Sequence, residues 1–370
     1  MIIKPGMLAS ELDTPCMLVD LDRMERNIRN WQAAIQGYGV RLRPHVKTHK
    51  VPAIANMQLG AGATGITVAK VGEAEVFAAG GARDIFIAYP TIGDEKWRRI
   101  AELARTCHMI VGVDSETGAR GLSAAASSAG VTIYSRVEID SGLNRAGVQP
   151  DQAGSLCKII NELPGIALDG IFGFRSTKFN GSNGRSAMEL GREEGEFYVN
   201  LANQLRKAGI AIQSVSVGST PTAKYAAAVK GVTEVRPGTY IFGDYMMAEF
   251  GAVSYDEIAL SIVCTVVSTP APGKATVDGG SKTFCGDSIP ANLNLKGYAK
   301  AVGFEGYVET MSEEHGVMRL GEGVQVKIGD KVSFYPIHVC TTVNLADELV
   351  GIRTGRVETV WPILARGKRT

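Results

Sequence analysis

The chain has 370 residues, 45% of them hydrophobic and 21% charged, and a formal net charge of +1. That is the composition of a globular protein too long for one ordinary core, and it suits a barrel plus a smaller domain. A charge this close to zero gives no electrostatic case for nucleic acid or an anionic membrane, and no apolar run approaches the roughly 20 residues of a spanning helix. The opening Met1-Ile2-Ile3-Lys4-Pro5-Gly6 lacks a signal-peptide hydrophobic stretch, so a cytoplasmic location is the expectation. Cys16, Cys107, Cys157, Cys264, Cys285 and Cys340 stand at no short paired spacing, which is neither a disulfide framework nor a C-x-x-C site.

In chain order, short β-rich runs alternate with amphipathic stretches. The predicted strands cover 40–45, 65–69, 84–89, 109–114, 131–140, 168–174, 213–217 and 233–235, and helices lie between them at 71–79, 94–107, 115–129 and 190–208. Eight such units in about 220 residues fit a (β/α)8 TIM barrel, although a doubly wound open sheet has the same periodicity. From about residue 250 the chain reads as short strands at 262–268, 274–278, 306–311, 317–319, 331–335 and 357–362, separated by Pro/Gly joints. The expected fold is therefore α/β plus all-β: a barrel over 15–245, then a C-terminal β domain of 246–370 that takes in residues 1–14.

Arg43-Pro44-His45-Val46-Lys47-Thr48-His49-Lys50 follows the first barrel strand. Catalysis in barrels sits at the C-terminal ends of strands, and a lysine amid like charges favours the neutral amine that forms a Schiff base. A basic loop alone would read as solvated surface. Two later loops change the balance. Gly218-Ser219-Thr220 follows strand seven, and Arg236-Pro237-Gly238-Thr239-Tyr240 follows strand eight, which is where barrels hold phosphate. Gly218 lets backbone approach an anion, Ser219 and Thr220 supply donors, and Gly238 and Thr239 would complete the cradle.

With these motifs in place, the chain resembles the fold-type III pyridoxal-phosphate enzymes, above all the branch containing D-threonine aldolase and D-serine dehydratase. The resemblance runs from Thr14-Pro15-Cys16-Met17-Leu18-Val19-Asp20 through R-P-H-V-K-T-H-K and V-R-P-G-T-Y to Arg366-Gly367-Lys368. It implies that Lys47 carries the cofactor, with His45 and Tyr240 beside it. Asp140-Ser141-Gly142-Leu143-Asn144-Arg145-Ala146-Gly147 is similar to the D-x-G-x-x-R-x-G segment of alanine racemase relatives, so Arg145 is expected to arrange the cofactor and Arg236 to lie near its pyridine nitrogen.

His338 and Cys340 stand two residues apart, a spacing that puts both on one face of a strand, and imidazole with thiolate suits zinc. The resemblance implies a divalent metal here, zinc before manganese or magnesium. His315, in Ser312-Glu313-Glu314-His315-Gly316, is read either as a catalytic group or as a turn residue. Cys107 and His108 are placed at a helix end without chemistry, and the Asp278-Gly279-Gly280 loop is read as conformational.

The expected reaction is attack on a D-3-hydroxy amino acid, with Lys47 as base and the metal activating the 3-hydroxyl: dehydration as in D-serine dehydratase or, alternatively, retro-aldol cleavage to glycine and an aldehyde. Relatives carry a tyrosine where this chain has Phe174, and Arg175 and Lys178 are added charges that suit an acidic or polyhydroxylated substrate tail. An amino-acid racemase and a non-enzymatic cofactor carrier are the rival readings; neither needs metal, and the carrier needs no β domain. A head-to-tail homodimer is implied by the resemblance alone.

Overall fold

The computed structural model describes residues 2–175, 184–287, 293 and 295–370. The chain divides into two compact units: Asn30–Lys47, Pro52–Gly238 and Gly367–Thr370 form one, and Met1–Arg29, Thr48–Val51 and Thr239–Arg366 the other. Among the described residues no helix is long and apolar enough to cross a membrane. Strand β1 (Cys16–Asp20) and the start of the first helix, Leu21–Gln36, group with the second unit. The structural division thus falls further along the chain than residue 14, because β1 pairs with β-unit strands on both of its edges.

The first unit is a barrel of eight parallel strands: β2 (Arg41–Leu42), β3 (Ile66–Val68), β4 (Asp84–Ile87), β5 (His108–Val113), β6 (Ile133–Glu138), β7 (Ile166–Phe172), β8 (Ser214–Val217) and β9 (Glu234–Val235). The order β2-β9-β8-β7-β6-β5-β4-β3 is closed by a parallel bridge between His45 and Thr67. This closure excludes the open doubly wound sheet. His108 opens β5 rather than ending a helix, with Nδ1 3.3 Å from an Asp84 carboxylate oxygen.

Side chains two residues apart on a strand face the same side, so the barrel interior fills in layers. One layer is ionic. Arg43 donates to Glu234 at 2.8 Å and to Asp84 at 2.6 Å, while Arg136 donates to Asp169 at 2.6 Å and to Glu234 at 2.5 Å. Burial alone would raise the Glu234 carboxyl, but the two guanidiniums hold it well below the usual carboxylate range. Removing one member of such a buried network costs about 3–5 kcal/mol, because its partners stay charged and unpaired. An apolar plug of Phe86, Ile110 and Phe172 lies against it, with the Arg136 guanidinium 4.7 Å from the Phe86 ring.

The second unit continues with β10 (Leu260–Ala271), β11 (Lys274–Val277), β12 (Ala299–Ala301), β13 (Gly306–Met311), β14 (Gly316–Leu320), β15 (Lys331–Pro336), β16 (Glu348–Arg353) and β17 (Arg356–Pro362). Their order is β11-β14-β13-β12-β15-β10-β1-β16-β17, and β10 also pairs with β11, which closes six of the strands into a second, antiparallel barrel. β10 spans 12 residues and changes register after Val266, which lets one strand serve both β1 and β11. The Asp278 loop is conformational here: one carboxylate oxygen accepts the Thr265 N–H at 2.8 Å and the other the Thr14 hydroxyl at 2.5 Å.

Candidate active site

In the barrel unit the strand ends gather the basic groups. Arg43 is spent in the ionic layer, whereas Lys47 is exposed on the tight turn Val46–Thr48. Its backbone N–H donates to His45 Nδ1 at 3.4 Å, which leaves the ring proton of a neutral imidazole on Nε2. Burial, then the charges of Lys47, Arg236 and Arg145, hold His45 well below the usual histidine range. These three cations therefore converge around a neutral histidine. Arg236 donates to Ser216 Oγ at 2.6 Å and to the Gly173 carbonyl at 2.7 Å, and burial brings its pKa down to about 10.

Arg145 rides on a loop built by Asp140, whose carboxylate accepts the N–H groups of Gly142, Leu143 and Asn144 at 3.0, 3.0 and 3.1 Å. Gly147 is obligatory there, since a Cβ would stand 2.5 Å from the Asp140 nitrogen at a φ of +106°. The Arg145 guanidinium lies 5.0 Å from the centre of the Phe174 ring.

The loop after β8 is similarly constrained. Gly218 has φ +82°, and a Cβ would meet Ala223 Cα at 2.9 Å. Ser219 N–H donates to Thr222 Oγ1 at 3.0 Å, and that hydroxyl donates to Glu194 at 2.8 Å. Thr220 is buried beside them. Arg175 does not stand apart as a lone cation: its guanidinium is 3.2 Å from Glu193, and its backbone N–H donates to Glu194 at 3.1 Å. Lys178 lies outside the described residues.

Gly238 ends the barrel unit, and Thr239 and Tyr240 belong to the β unit, where Thr239 Oγ1 lies 3.7 Å from Cys340 Sγ. Tyr240 is buried. His338 and Cys340 do meet, but not as neighbours on a strand face. His338 is the extended N-cap (φ −143°, ψ 107°) of the short helix Val339–Val343, and Cys340 lies inside that helix. The chain turns between them, so imidazole and thiol come within hydrogen-bond reach. Asp287 accepts from His338 Nδ1, and burial, which opposes the imidazolium, is outweighed by Cys340 and Asp287, which raise His338 to about 11.

Among the described residues no group of three His, Cys, Asp or Glu side chains forms a metal cage. Asp287 fixes the orientation of the His338 ring through its contact with Nδ1. Asp244 holds the segment in place, accepting the Val339 N–H at 3.0 Å and the Met247 N–H at 2.7 Å while burial raises its carboxyl to about 6. Thr48 Oγ1 is 3.1 Å from Cys340 Sγ. His315 sits exposed at the turn between β13 and β14, its carbonyl accepting the Ser312 N–H at 2.9 Å.

The model of the alanine racemase N-terminal domain matches residues 19–246, more than half of the chain. The chain belongs to that family. A second model, described as a serine dehydratase domain, matches residues 259–352. A D-threonine aldolase of Arthrobacter is 35% identical over 98% of this chain and 95% of its own length. The D-threo-3-hydroxyaspartate dehydratase of Delftia is 34% identical over 90% of this chain and 92% of its own. Two solved variants of a D-threo-3-hydroxyaspartate dehydratase superpose with a TM-score of 0.88 at 31% identity, each over 96% of this chain and over 96% and 99% of their own. One replaces a histidine by alanine; the other replaces a cysteine two residues further on and is in the metal-free form.

Sequence reasoning missed Glu138, Glu194, Asp244 and Asp287. Glu138 alone had a local signal, an acidic residue ending a strand just before the Asp140 loop. The others are brought in by tertiary contacts.

Proposed function

We propose that this chain is a pyridoxal-phosphate- and metal-dependent lyase of D-3-hydroxy amino acids, acting as a D-serine-dehydratase-like enzyme. The reading rests on the pair His338 and Cys340, an imidazole and a thiol drawn together at a helix start with Asp287 behind the imidazole. The His-then-Cys spacing altered in the dehydratase variants is the same. Family membership and the lyase relatives give the reaction class.

The barrel mouth fits an anionic phosphorylated cofactor. Three cations surround His45, and Gly218 keeps the loop after β8 free of a Cβ that would meet Ala223 Cα at 2.9 Å. Lys47 would hold pyridoxal phosphate covalently. Arg145, Arg236, His45, Ser219, Thr220 and Gly238 would help hold it, with Thr239 and Tyr240 assigned to the same role. Bound there, the cofactor supplies an electron sink for the pair left at Cα. His338 and Cys340 would hold a divalent ion, zinc by the softness of the thiolate, which would supply Lewis acidity there.

The chain's own part is proton handling and orientation. Lys47 Nζ takes the Cα proton. Neutral His45 does not compete with it for charge, and its Nδ1 fixes the turn that carries Lys47. Asp287 and Asp244 hold His338 and the chain entering Cys340, so the ligand pair is set before substrate arrives. The 3-hydroxyl leaves as water with a proton, and water then hydrolyses the released enamine to a 2-oxo acid and ammonia. Retro-aldol cleavage to glycine and an aldehyde is the second reading, favoured by the aldolase among the relatives.

Arg175 is assigned to an acidic substrate tail, supported by the 3-hydroxyaspartate in the name of the dehydratase relative. Its pairing with Glu193 means a substrate carboxylate would compete with that side chain. Assembly as a head-to-tail homodimer, with the exposed His315 hairpin as a contributor to catalysis, is part of the same reading. The deciding experiment gives protein reconstituted with pyridoxal phosphate and zinc D-threonine and D-threo-3-hydroxyaspartate. The 2-oxo acid with ammonia supports dehydration, glycine with an aldehyde supports cleavage, and no turnover of either refutes the lyase reading.

A further inference from the structure

The helix Ala187–Lys207 buries a stripe that includes Leu190, Glu194, Tyr198, Leu201 and Leu205, at steps of three or four residues. Gly191 brings this stripe against the loop after β8: a Cβ there would stand 2.6 Å from the Thr222 carbonyl oxygen. Glu194 is the charged member of the stripe and is 1% exposed.

Uncharged donors meet its carboxylate. One oxygen accepts the Arg175 N–H at 3.1 Å, the other the Thr222 hydroxyl at 2.8 Å, and the Gly218 N–H also donates to it. Burial pushes the carboxyl up, and the bonds from Arg175 and Thr222 pull the other way. A carboxylate this deep costs more to bury than the apolar side chain that would continue the stripe, so packing does not account for it.

The donors narrow its role. An ionised carboxylate accepts hydrogen bonds and donates none, so the Thr222 proton is committed to Glu194. The Thr222 oxygen is left to accept the Ser219 N–H at 3.0 Å and the Ser219 hydroxyl at 3.1 Å. Glu194 thereby fixes the direction of a chain of hydrogen bonds that runs from Ser219 through Thr222. Its other oxygen holds the end of β7. The Gly173 carbonyl accepts from Arg236 at 2.7 Å, and the Arg175 guanidinium lies 3.2 Å from Glu193. Two adjacent residues of one helix therefore hold Arg175, Glu194 by its backbone and Glu193 by its side chain.

We propose that Glu194 is a positioning residue that sets two loops at once: residues 218–222, assigned to the cofactor phosphate, and the Arg175 turn, assigned to the acidic tail of the substrate. This rests on the cofactor and substrate readings above. Thr222 belongs to the first loop alone, which separates the two effects.

The test uses protein loaded with pyridoxal phosphate and zinc, as wild type, Glu194→Gln, Thr222→Val, Thr222→Ser and the Glu194→Gln/Thr222→Val double variant. Neither readout needs turnover. Cofactor affinity is measured by fluorescence quenching. Affinities for D-aspartate and D-2-aminobutyrate, which carry no 3-hydroxyl to lose, are measured by titrating the visible absorption band. A glutamine keeps the shape of Glu194 but turns an N–H group on one of the donors. We expect Glu194→Gln to weaken cofactor binding about tenfold and to cut the preference for D-aspartate about fivefold. Thr222→Val should weaken the cofactor by about tenfold but leave the preference within about twofold of wild type. Thr222→Ser keeps the hydroxyl and should restore cofactor affinity to within about twofold. The double variant should lose less than the product of the two single losses. A role in stability alone would weaken both amino acids equally.

A Glu194→Gln protein that shifts one readout without the other overturns the proposal, as do single losses that multiply in the double variant. Should Glu194→Gln fail to fold, Glu194→Asp withdraws the carboxylate from both loops by one methylene and is expected to show the same paired loss; a wild-type pattern there overturns the proposal. Wild-type protein that takes up no pyridoxal phosphate would overturn the cofactor reading and this inference with it. Loaded wild type without a preference for D-aspartate would overturn the Arg175 assignment and the link to it. Uptake and preference both unchanged by Glu194→Gln would overturn this inference alone.

Discussion

Glu138 makes a prediction that needs neither cofactor nor substrate. A carboxyl whose pKa rises from 4.5 in the unfolded chain to about 7 in the fold binds its proton more tightly when folded. Its contribution to stability is therefore fully present below pH 4.5 and is lost as pH rises through 7. At about 1.4 kcal/mol per unit, the loss is about 3 kcal/mol by pH 8.5. A glutamine has no proton to lose, so Glu138→Gln in cofactor-free protein should gain about 3 kcal/mol on wild type between pH 4 and pH 8.5. For a barrel of this size that corresponds to roughly 6–12 °C in the barrel unfolding midpoint. Calorimetry across that pH range reads the difference directly, because titrations elsewhere are common to both proteins and cancel. Stability curves that run parallel for the two proteins would refute the reasoning, since they would mean that Glu138 keeps the same proton affinity folded and unfolded.

Four further outcomes follow from the site. Lys47→Ala should abolish covalent cofactor attachment and reduce turnover by at least about 100-fold, and borohydride reduction with peptide mass spectrometry of the wild type should place the label on Lys47. Cys340→Ala and His338→Ala should each lose bound metal, measured by plasma mass spectrometry, and with it activity, while cofactor absorbance persists. Asp287→Asn keeps the shape but not the charge behind His338, and metal affinity read by competition with a chelator should fall about 10–100-fold. Gly218→Ala forces a Cβ to 2.9 Å from Ala223 Cα at a left-handed φ; cofactor affinity should drop about tenfold or more with metal content unchanged.

The barrel was legible because its signals are local and repeated: eight short β-rich runs with helical stretches between them, and glycines at loops whose backbone tolerates little else, Gly218 and Gly147 among them. What the period could not decide, a closed barrel or an open sheet, is settled by the bridge between His45 and Thr67, a pairing with no local mark in the sequence. In the β unit, β12 and β16 escaped notice because neither is a conspicuous β-rich run between strong turn signals; Ala299–Ala301 is only three residues long and is fixed by pairing with β13 and β15.

His338 and Cys340 show how a spacing argument can rest on the wrong local geometry. Spacing of two residues implies a shared face only if both residues are extended, and here only His338 is. What brings the thiol back towards the imidazole is the start of a helix, held by an Asp244 carboxylate that accepts the Val339 N–H from 95 residues upstream. Asp287, 51 residues upstream, then fixes the imidazole. The imidazole and the thiol could be read from a decapeptide, but the carboxylates that hold their segment come from elsewhere in the unit. Their effect should therefore appear in metal affinity before it appears in the fold, and that ordering is what Asp287→Asn tests against Cys340→Ala.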